Sequence, residues 1–263
     1  MNIIVCIKQV PDTNEVRINQ ETGTLIRDGV PSIINPDDKN ALEAALQLKD
    51  LHGGKVTVVS MGPPQAKEAL REAYAMGADE TWLITDRAFG GSDTWATATI
   101  IAAAIEKIGN YDLIFCGRQA IDGDTAQVGP EIAEFLDIPQ VTYAKSIEEK
   151  GDKFIITRKT EGEDYLIETS KPVLITAISD LNQPRYPRVR RIFEAYAAED
   201  VVRVLTSADL PVDPTQIGLK GSPTNVHSSF VPTKEKHSEI IEGTDKTEKA
   251  ERLLEKLKAV NVI

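Results

Sequence analysis

Four short apolar runs constrain this chain more than any other feature. Met1–Ile7, Val56–Ser60, Trp82–Ile84 and Leu113–Cys116 are of strand length and read as buried on both faces. Helical signals lie between them. Ala41, Ala44, Ala45 and Leu48 follow the i, i+3, i+4, i+7 spacing, and Gly53-Gly54 stop that helix. An Ala-rich stretch from Gln65 to Met76 closes at Gly77. Ser92 or Asp93 caps a longer helix with Thr97, Ile101, Ala104, Ile105 and Ile108 on one face, ended by Gly109. Val128, Ile132, Phe135 and Leu136 mark one more before Pro139. Such strands, joined by helical crossovers, predict an α/β fold: a parallel sheet with helices on both faces.

The pattern changes after Val141. Phe154–Lys159, Tyr165–Glu168 and Val173–Ile178 are short β-type runs and are expected as antiparallel strands extending the sheet. In Asn182–Arg188 two prolines forbid regular structure. From Ala208 to Lys236 the chain is rich in Pro, Gly, Ser and Thr and is expected to have no core of its own, so it is either disordered or laid on another subunit. Lys246–Lys258 reads as an amphipathic helix with Ala250, Leu253, Leu254 and Leu257 on one stripe. The expected organisation is an α/β core over 1–180, a projecting segment over 181–200, and an extended C-terminal arm with its helix over 201–263.

Composition narrows the partners. Thirty Lys and Arg against 41 Asp and Glu give a net charge of −11, which argues against general affinity for nucleic acid or anionic membrane. Cys6 and Cys116 sit inside apolar runs, without metal-ligand spacing, and read as buried reduced thiols. No apolar stretch approaches the ~18–20 residues that span a bilayer, and Lys8 follows the first apolar run too soon for a signal peptide. A soluble intracellular protein is expected.

The most informative segment is Gly117-Arg118-Gln119-Ala120-Ile121-Asp122-Gly123-Asp124-Thr125-Ala126-Gln127-Val128. It follows a strand and leads into a helix, so it belongs at the carboxyl edge of the sheet, where open α/β folds bind ligands. Its N–H groups and the helix N-terminus suit a phosphate or pyrophosphate, with Thr125 and Arg118 as further donors. An ordinary βα loop with polar turn residues has the same composition. Asn35-Pro36-Asp37-Asp38 and Phe89-Gly90-Gly91-Ser92-Asp93-Thr94-Trp95-Ala96-Thr97 end at the same edge. Helix capping accounts for their acids and Ser92. The Gly90-Gly91 pair suits close backbone approach to a ligand. His52, His227 and His237 have no Ser, Cys or metal partner in prospect, so any chemistry belongs to a bound cofactor. Arg185-Tyr186-Pro187-Arg188-Val189-Arg190-Arg191 reads as a stiff basic projection suited to protein docking, or as a solvated loop.

Taken together, these motifs resemble the β subunit of electron-transfer flavoproteins, across essentially the whole chain. The resemblance runs through Ile7–Asp12, Asn35-Pro36, Met76–Asp79, Gly117–Asp122, Thr125–Gln127 and Leu181–Tyr186. Glu161-Gly162-Glu163-Asp164-Tyr165 departs from it, standing where a Gly-Gly pair followed by Glu is more usual. The resemblance implies an adenine-nucleotide hydrolase-like, Rossmann-like fold and a heterodimer with an α subunit that carries its own FAD. Housekeeping members hold AMP in the β site, and electron-bifurcating members hold a second FAD that accepts hydride from NADH. Nucleotide contacts carry over to Cys6, Asn35, Asp38, Met61 and Gly117–Val128. Phe89–Thr97 is similar to the bifurcating members, which implies FAD beside Gly90, Gly91, Ser92, Asp93, Thr94 and Thr97. One electron would then leave through the α-subunit flavin to an acyl-CoA dehydrogenase, and the other to ferredoxin or flavodoxin. Arg185, Tyr186, Arg188, Val189 and Arg190 would dock the partner, with Val189 in place of the family's leucine. The resemblance also implies a cytoplasmic location.

Overall fold

In the computed structural model, which describes residues 1–12, 31–227 and 238–262, the first apolar run forms β1 (Asn2–Cys6). β2 (Gln9–Pro11) and β3 (Ser32–Ile34) pair as a small antiparallel ribbon. The chain then alternates α1 (Pro36–His52), β4 (Lys55–Met61), α2 (Lys67–Met76), β5 (Glu80–Ile84), α3 (Thr94–Ile108), β6 (Leu113–Gly117) and α4 (Val128–Phe135). Then come β7 (Gln140–Lys150), β8 (Lys153–Lys159), β9 (Asp164–Ser170) and β10 (Val173–Ala177), followed by α5 (Val189–Ala197), β11 (Val202–Leu205) and α6 (Gly218–Gly221). The main sheet runs β11-β5-β4-β1-β6-β10-β7-β8-β9, parallel from β11 to β7 and antiparallel through β8 and β9.

Both faces of the sheet are covered, as the continuous apolar strands require. Leu42 and Leu46 of α1 and Leu70 and Met76 of α2 pack with Ile3, Val5 and Phe115 on one side. Ile100 and Ile105 of α3 and Ile132 of α4 pack with Ile4, Ile114 and Leu174 on the other. The chain divides at His227. In the second unit α7 (Lys246–Ala259) is capped by the Asp245 carboxylate, and Leu253 and Leu254 of its apolar stripe are exposed.

Three expectations need correction, and one strand was missed. Val173–Ala177 is not antiparallel: β10 pairs in parallel with both β6 and β7, and all five of its residues are buried. Its unbroken apolar run is that of a central parallel strand, whereas β8 and β9 form the hairpin outside it. Val189, Arg190 and Arg191 lie on a helix, not in a loop. The prolines keep residues 182–188 irregular, but after Pro187 the series Val189, Ile192, Phe193, Tyr196 has helical spacing. The strand β7 was not foreseen, because its outer half alternates polar residues. Finally, β11 joins the sheet edge beside β5, and Leu210 and Ile217 are buried in the α3-side core, so part of the expected coreless arm packs on its own chain. The rest of that segment, residues 228–236, lies outside the described residues, as does His237. The unusual Glu161–Tyr165 stretch still closes the β8–β9 hairpin, with Lys159 opposite Asp164.

The segment before α5 is fastened to α1. Arg185 Nε donates to Glu43 at 2.8 Å and Nη1 pairs with Asp50 at 2.8 Å, while the Glu43 side chain is only 5% exposed. Asn40 and Asn182 exchange hydrogen bonds to each other's carbonyls at 2.7 and 2.9 Å. Arg185→Ala leaves the Glu43 carboxylate buried without its cation and lowers stability by about 2–3 kcal/mol. Arg190→Ala, at a side chain 91% exposed, costs less than about 0.5 kcal/mol. Urea denaturation of the two variants checks the contrast.

Candidate functional site

Strand order reverses at β1: β4 and β5 lie to one side and β6 to the other. The crevice outside the carboxyl ends of β1 and β6 is therefore the topological switch point, the usual ligand position in such sheets. Cys6 and Cys116 are register partners there. Both are buried, and their mutual hydrogen bond together with burial pushes the Cys116 thiol up.

Asp38, in the first turn of α1, spans this crevice. One carboxylate oxygen accepts the Lys8 N–H at 2.7 Å and the other the Gly117 N–H at 3.0 Å. The approach is so close that a Cβ at position 117 would stand 2.2 Å from Asp38 Oδ1, so only glycine fits. Burial raises the Asp38 pKa to about 7, opposed by hydrogen bonds from Asn35, Lys8 and Gly117. Fully buried Asn35 shapes the next stretch: its amide donates to the Gln119 carbonyl at 2.8 Å and accepts the Ile121 N–H at 3.0 Å. Lys8 pairs with Asp122 at 2.7 Å, and Arg118 lies 3.3 Å from Asp37.

Beyond Ile121 the loop tightens. The N–H groups of Gly123 and Asp124 both donate to the Ala120 carbonyl, and Gln119 donates to the Asp124 carboxylate. Asp124 and Ala126 both have φ of 55°. That region is unfavourable for L-residues by roughly 1–2 kcal/mol each, and alanine has no polar side chain to offset it. Among the described residues, no hydrogen-bond acceptor is recorded for the N–H groups of Thr125, Ala126, Gln127 and Val128. A strained loop ahead of α4 with free donors is the arrangement that binds an anion.

The β5–α3 connection supplies the other wall. Asp93 caps α3 through the Ala96 N–H at 3.0 Å, and its second oxygen accepts the Thr224 N–H and hydroxyl at 2.9 and 2.8 Å. Ser92 donates to the Phe89 carbonyl and accepts the Gly218 N–H at 3.1 Å. Gly91 has φ of 76°, and a Cβ there would meet Leu219 Cβ at 3.0 Å. The close neighbour of Gly91 is thus its own chain. Thr94 faces the other way, its hydroxyl 3.1 Å from Glu131 Oε1 and 3.4 Å from Gln127 Oε1. Trp95 meets Phe135 edge-on at 4.8 Å, closing α3 against α4.

Asn35, Asp38 and the Gly117–Asp122 loop thus form one hydrogen-bonded group, with Cys6 beside it bonded to Cys116, and Thr94 ties Gly90–Thr97 to Gln127 and the start of α4. Met61 is half-buried at the end of β4, and Thr97 is half-buried one turn into α3, neither bonded by its side chain to that group in the described residues. Lys8, Asp37 and Glu131 belong to the site but were not anticipated in it. Glu131 stands four residues after Gln127 on a helix, a spacing that could have found it. The buried Glu131 Oε2 has no partner among the described residues. The free N–H donors ahead of α4 fit the anionic part of a ligand.

Of the expected docking residues, Arg185 is held by α1. Tyr186 is 92% and Val189 70% exposed, with Arg188 and Arg190 beside them. Phe193 and Tyr196 of α5 extend this apolar surface. A cavity of about 310 Å³ opens next to it, lined by Ile33, Ala69, Pro187 and Ile192 among others.

The family model for the electron transfer flavoprotein domain matches residues 22–208. The chain is 60% identical over its full length to an electron transfer flavoprotein subunit beta of Thermoanaerobacterium thermosaccharolyticum, which is likewise covered in full. It belongs to the electron transfer flavoprotein family, as a β subunit. Over the full length of both chains it is also 52% identical to the caffeyl-CoA reductase-Etf complex subunit CarD of Acetobacterium woodii and 51% identical to the acryloyl-CoA reductase electron transfer subunit gamma of Anaerotignum propionicum. Membership gives the chain an electron-transfer role, and among the described residues no helix is long and apolar enough to cross a membrane.

Asp38 makes the stability of this edge depend on pH. Its folded-state pKa, about 7, lies above the ordinary value of 3.8, so the folded chain holds the proton more tightly. That contribution is complete below about pH 4 and is lost as pH rises through about 7, an upper bound of about 4 kcal/mol. Asp38→Asn flattens the stability profile between pH 4 and 7. It also lowers stability throughout, because its amide NH₂ meets a backbone N–H. Denaturant titrations across that range check both effects.

Proposed function

We propose that this chain holds FAD at the carboxyl-edge site and, in a heterodimer with an α subunit, accepts electrons from NADH there. One electron then passes through the α-subunit flavin to an acyl-CoA dehydrogenase and the other to ferredoxin or flavodoxin. The observation that carries this reading is the convergence of Gly90–Thr97 and Gly117–Val128 at Thr94, Gln127 and Glu131. Adenylate binding alone has no need of the first of these segments. Similarity to subunits named for caffeyl-CoA and acryloyl-CoA reductase complexes supports an acyl-CoA-linked partner.

The flavin, when bound, supplies the hydride-accepting and one-electron chemistry. The chain's own residues bind and orient. Asp38 and Asn35 hold the switch-point loop in shape, the N–H groups of Thr125–Val128 and the Arg118 charge receive the pyrophosphate, and Thr94 presents its hydroxyl to the portion beyond. Tyr186, Val189 and Phe193 form the apolar docking surface, with Arg188 and Arg190 steering an acidic partner. The chain would work in the cytoplasm.

The alternative is a housekeeping subunit holding structural AMP, favoured by one observation. Gly91, Ser92 and Asp93 are already engaged by Leu219, Gly218 and Thr224 of their own chain. Counting nucleotides separates the two: the purified heterodimer is expected to release two FAD per pair and no AMP. One FAD with one AMP establishes the alternative.

The docking surface has its own test. Val189→Asp places a charge on the apolar surface and lowers the rate of electron transfer to the acyl-CoA dehydrogenase at least about tenfold, with flavin content unchanged. If flavin is lost while transfer per remaining flavin is intact, the docking role fails.

A further inference from the structure

At the amino edge of the sheet, opposite the candidate site, a cavity of about 370 Å³ opens between the first residues of β4, β5 and β11 and the last turn of α3. Strand alternation sets its lining. Lys55 of β4, Glu80 and Trp82 of β5 and Arg203 of β11 line it, while the intervening Val56 and Val202 are buried in the core on the α1 and α2 side. Lys107 and Ile108 come from the end of α3. The volume lies within the roughly 300–1,000 Å³ of small-molecule sites.

Glu80 organises the charges. Its two oxygens meet Lys55 Nζ at 2.8 Å and Arg203 Nη1 at 3.3 Å. Burial pushes the Glu80 carboxyl up, but Lys55, Arg203 and Trp82 outweigh it and hold the carboxyl below its ordinary value, so the bridge persists through neutral pH. The Glu80 side chain is 22% exposed, against 46% for Lys55 and 52% for Arg203. The acid lies beneath and the cations stand toward the opening. The Arg203 guanidinium also lies over the Trp82 ring at 5.1 Å, which restricts it further. An ammonium has three donors and a guanidinium five, so one shared carboxylate uses only part of either set.

Lys107 adds a third cation, so positive charge exceeds negative here on a chain whose net charge is −11. Two cations held side by side on one acid suit a compact dianion, and a guanidinium suits phosphate oxygens in particular. Half-buried Trp82 and Ile108 give the same cavity an apolar side. We infer that this cavity is a second ligand site, for a small phosphate monoester whose phosphate meets Lys55, Arg203 and Lys107 and whose carbon part lies beside Trp82 and Ile108. It shares no residue with the carboxyl-edge site and does not depend on the FAD reading.

The test is calorimetric titration of the nucleotide-loaded heterodimer, whose carboxyl-edge site is already filled, with glycerol 3-phosphate, inorganic phosphate and succinate. Glycerol 3-phosphate is expected to bind once per pair, and at least about threefold more tightly than inorganic phosphate, which lacks the carbon part. Succinate carries the same charge split between two ends and binds at least about fivefold more weakly than glycerol 3-phosphate. Arg203→Gln weakens glycerol 3-phosphate at least about tenfold and Lys107→Gln about threefold, with nucleotide content unchanged in both. Absence of saturable glycerol 3-phosphate binding to the wild type overturns the proposal. So does wild-type affinity in Arg203→Gln, which places the ligand elsewhere in the heterodimer. Should that variant not fold, wild-type affinity in Lys107→Gln, a change at an exposed side chain, overturns it equally. Succinate binding as tightly as glycerol 3-phosphate overturns the assignment to a phosphate monoester.

Discussion

Where β1 and β6 end side by side, the backbone N–H groups of Lys8 and Gly117 both turn to the Asp38 carboxylate. Burying a carboxylate is expensive, and two backbone donors offset much of that cost. Once this arrangement exists, much else at the edge follows. Position 117 must be glycine, because any Cβ would collide with Asp38. The start of α1 is pinned over the switch point, which brings Asn35 within reach of Gln119 and Ile121. The loop after β6 therefore leaves the sheet along a path set by side chains nearly ninety positions earlier in the chain.

The same helix carries a second set of contacts. Within two turns of Asp38, Asn40 and Glu43 hold Asn182 and Arg185, and Asp50, farther along, takes the other side of the guanidinium. Arg188 adds a backbone bond to Ala75 of α2, and Arg191 lies over the Tyr74 ring at 4.2 Å. The exposed Tyr186, Val189 and Phe193 thus project from a segment whose base is bonded to the helix that also shapes the candidate site. This fixes the position of the proposed docking surface relative to the candidate site within the chain.

How much of this was legible in the sequence depended on whether local pattern or distant partner decided the outcome. The parallel sheet, the helices on its two faces and the carboxyl-edge position of Gly117–Val128 followed from periodicity and chain order. The direction of β10 did not, since it depends on the chain inserting between β6 and β7 after the β8–β9 hairpin has extended the sheet beyond β7. The helical spacing from Val189 to Tyr196 was present but stood behind two prolines, whose effect stops at Pro187. The resemblance identified Asn35 and Asp38 as site residues, yet their roles as backbone acceptors depend on contacts 30 to 86 positions apart. Arginine 185 showed the limit most clearly: four arginines in seven residues suggested an outward basic surface, but one of them turns inward to a glutamate 142 positions away.

The residues of the α3 cap divide the work between structure and ligand along the same lines. Glycine 91 takes a left-handed conformation against Leu219, while Ser92 and Asp93 bond the turn that begins at Gly218. Their polar groups are occupied, so these three residues set the shape of the wall. Thr94 is the next residue and is bonded across to α4, where the Glu131 oxygen remains unpaired. The loop opposite shows the same contrast, with Ala126 strained and the N–H groups ahead of α4 without acceptors among the described residues. The strained Ala126 and the N–H groups without acceptors lie together at the carboxyl edge, although buried polar atoms without partners, such as Ser60 Oγ, Trp82 Nε1 and Arg158 Nε, occur on the strands as well. Where strain and free donors coincide, as they do ahead of α4, the fold holds the donors in place at a standing cost in stability, which a bound anion would offset.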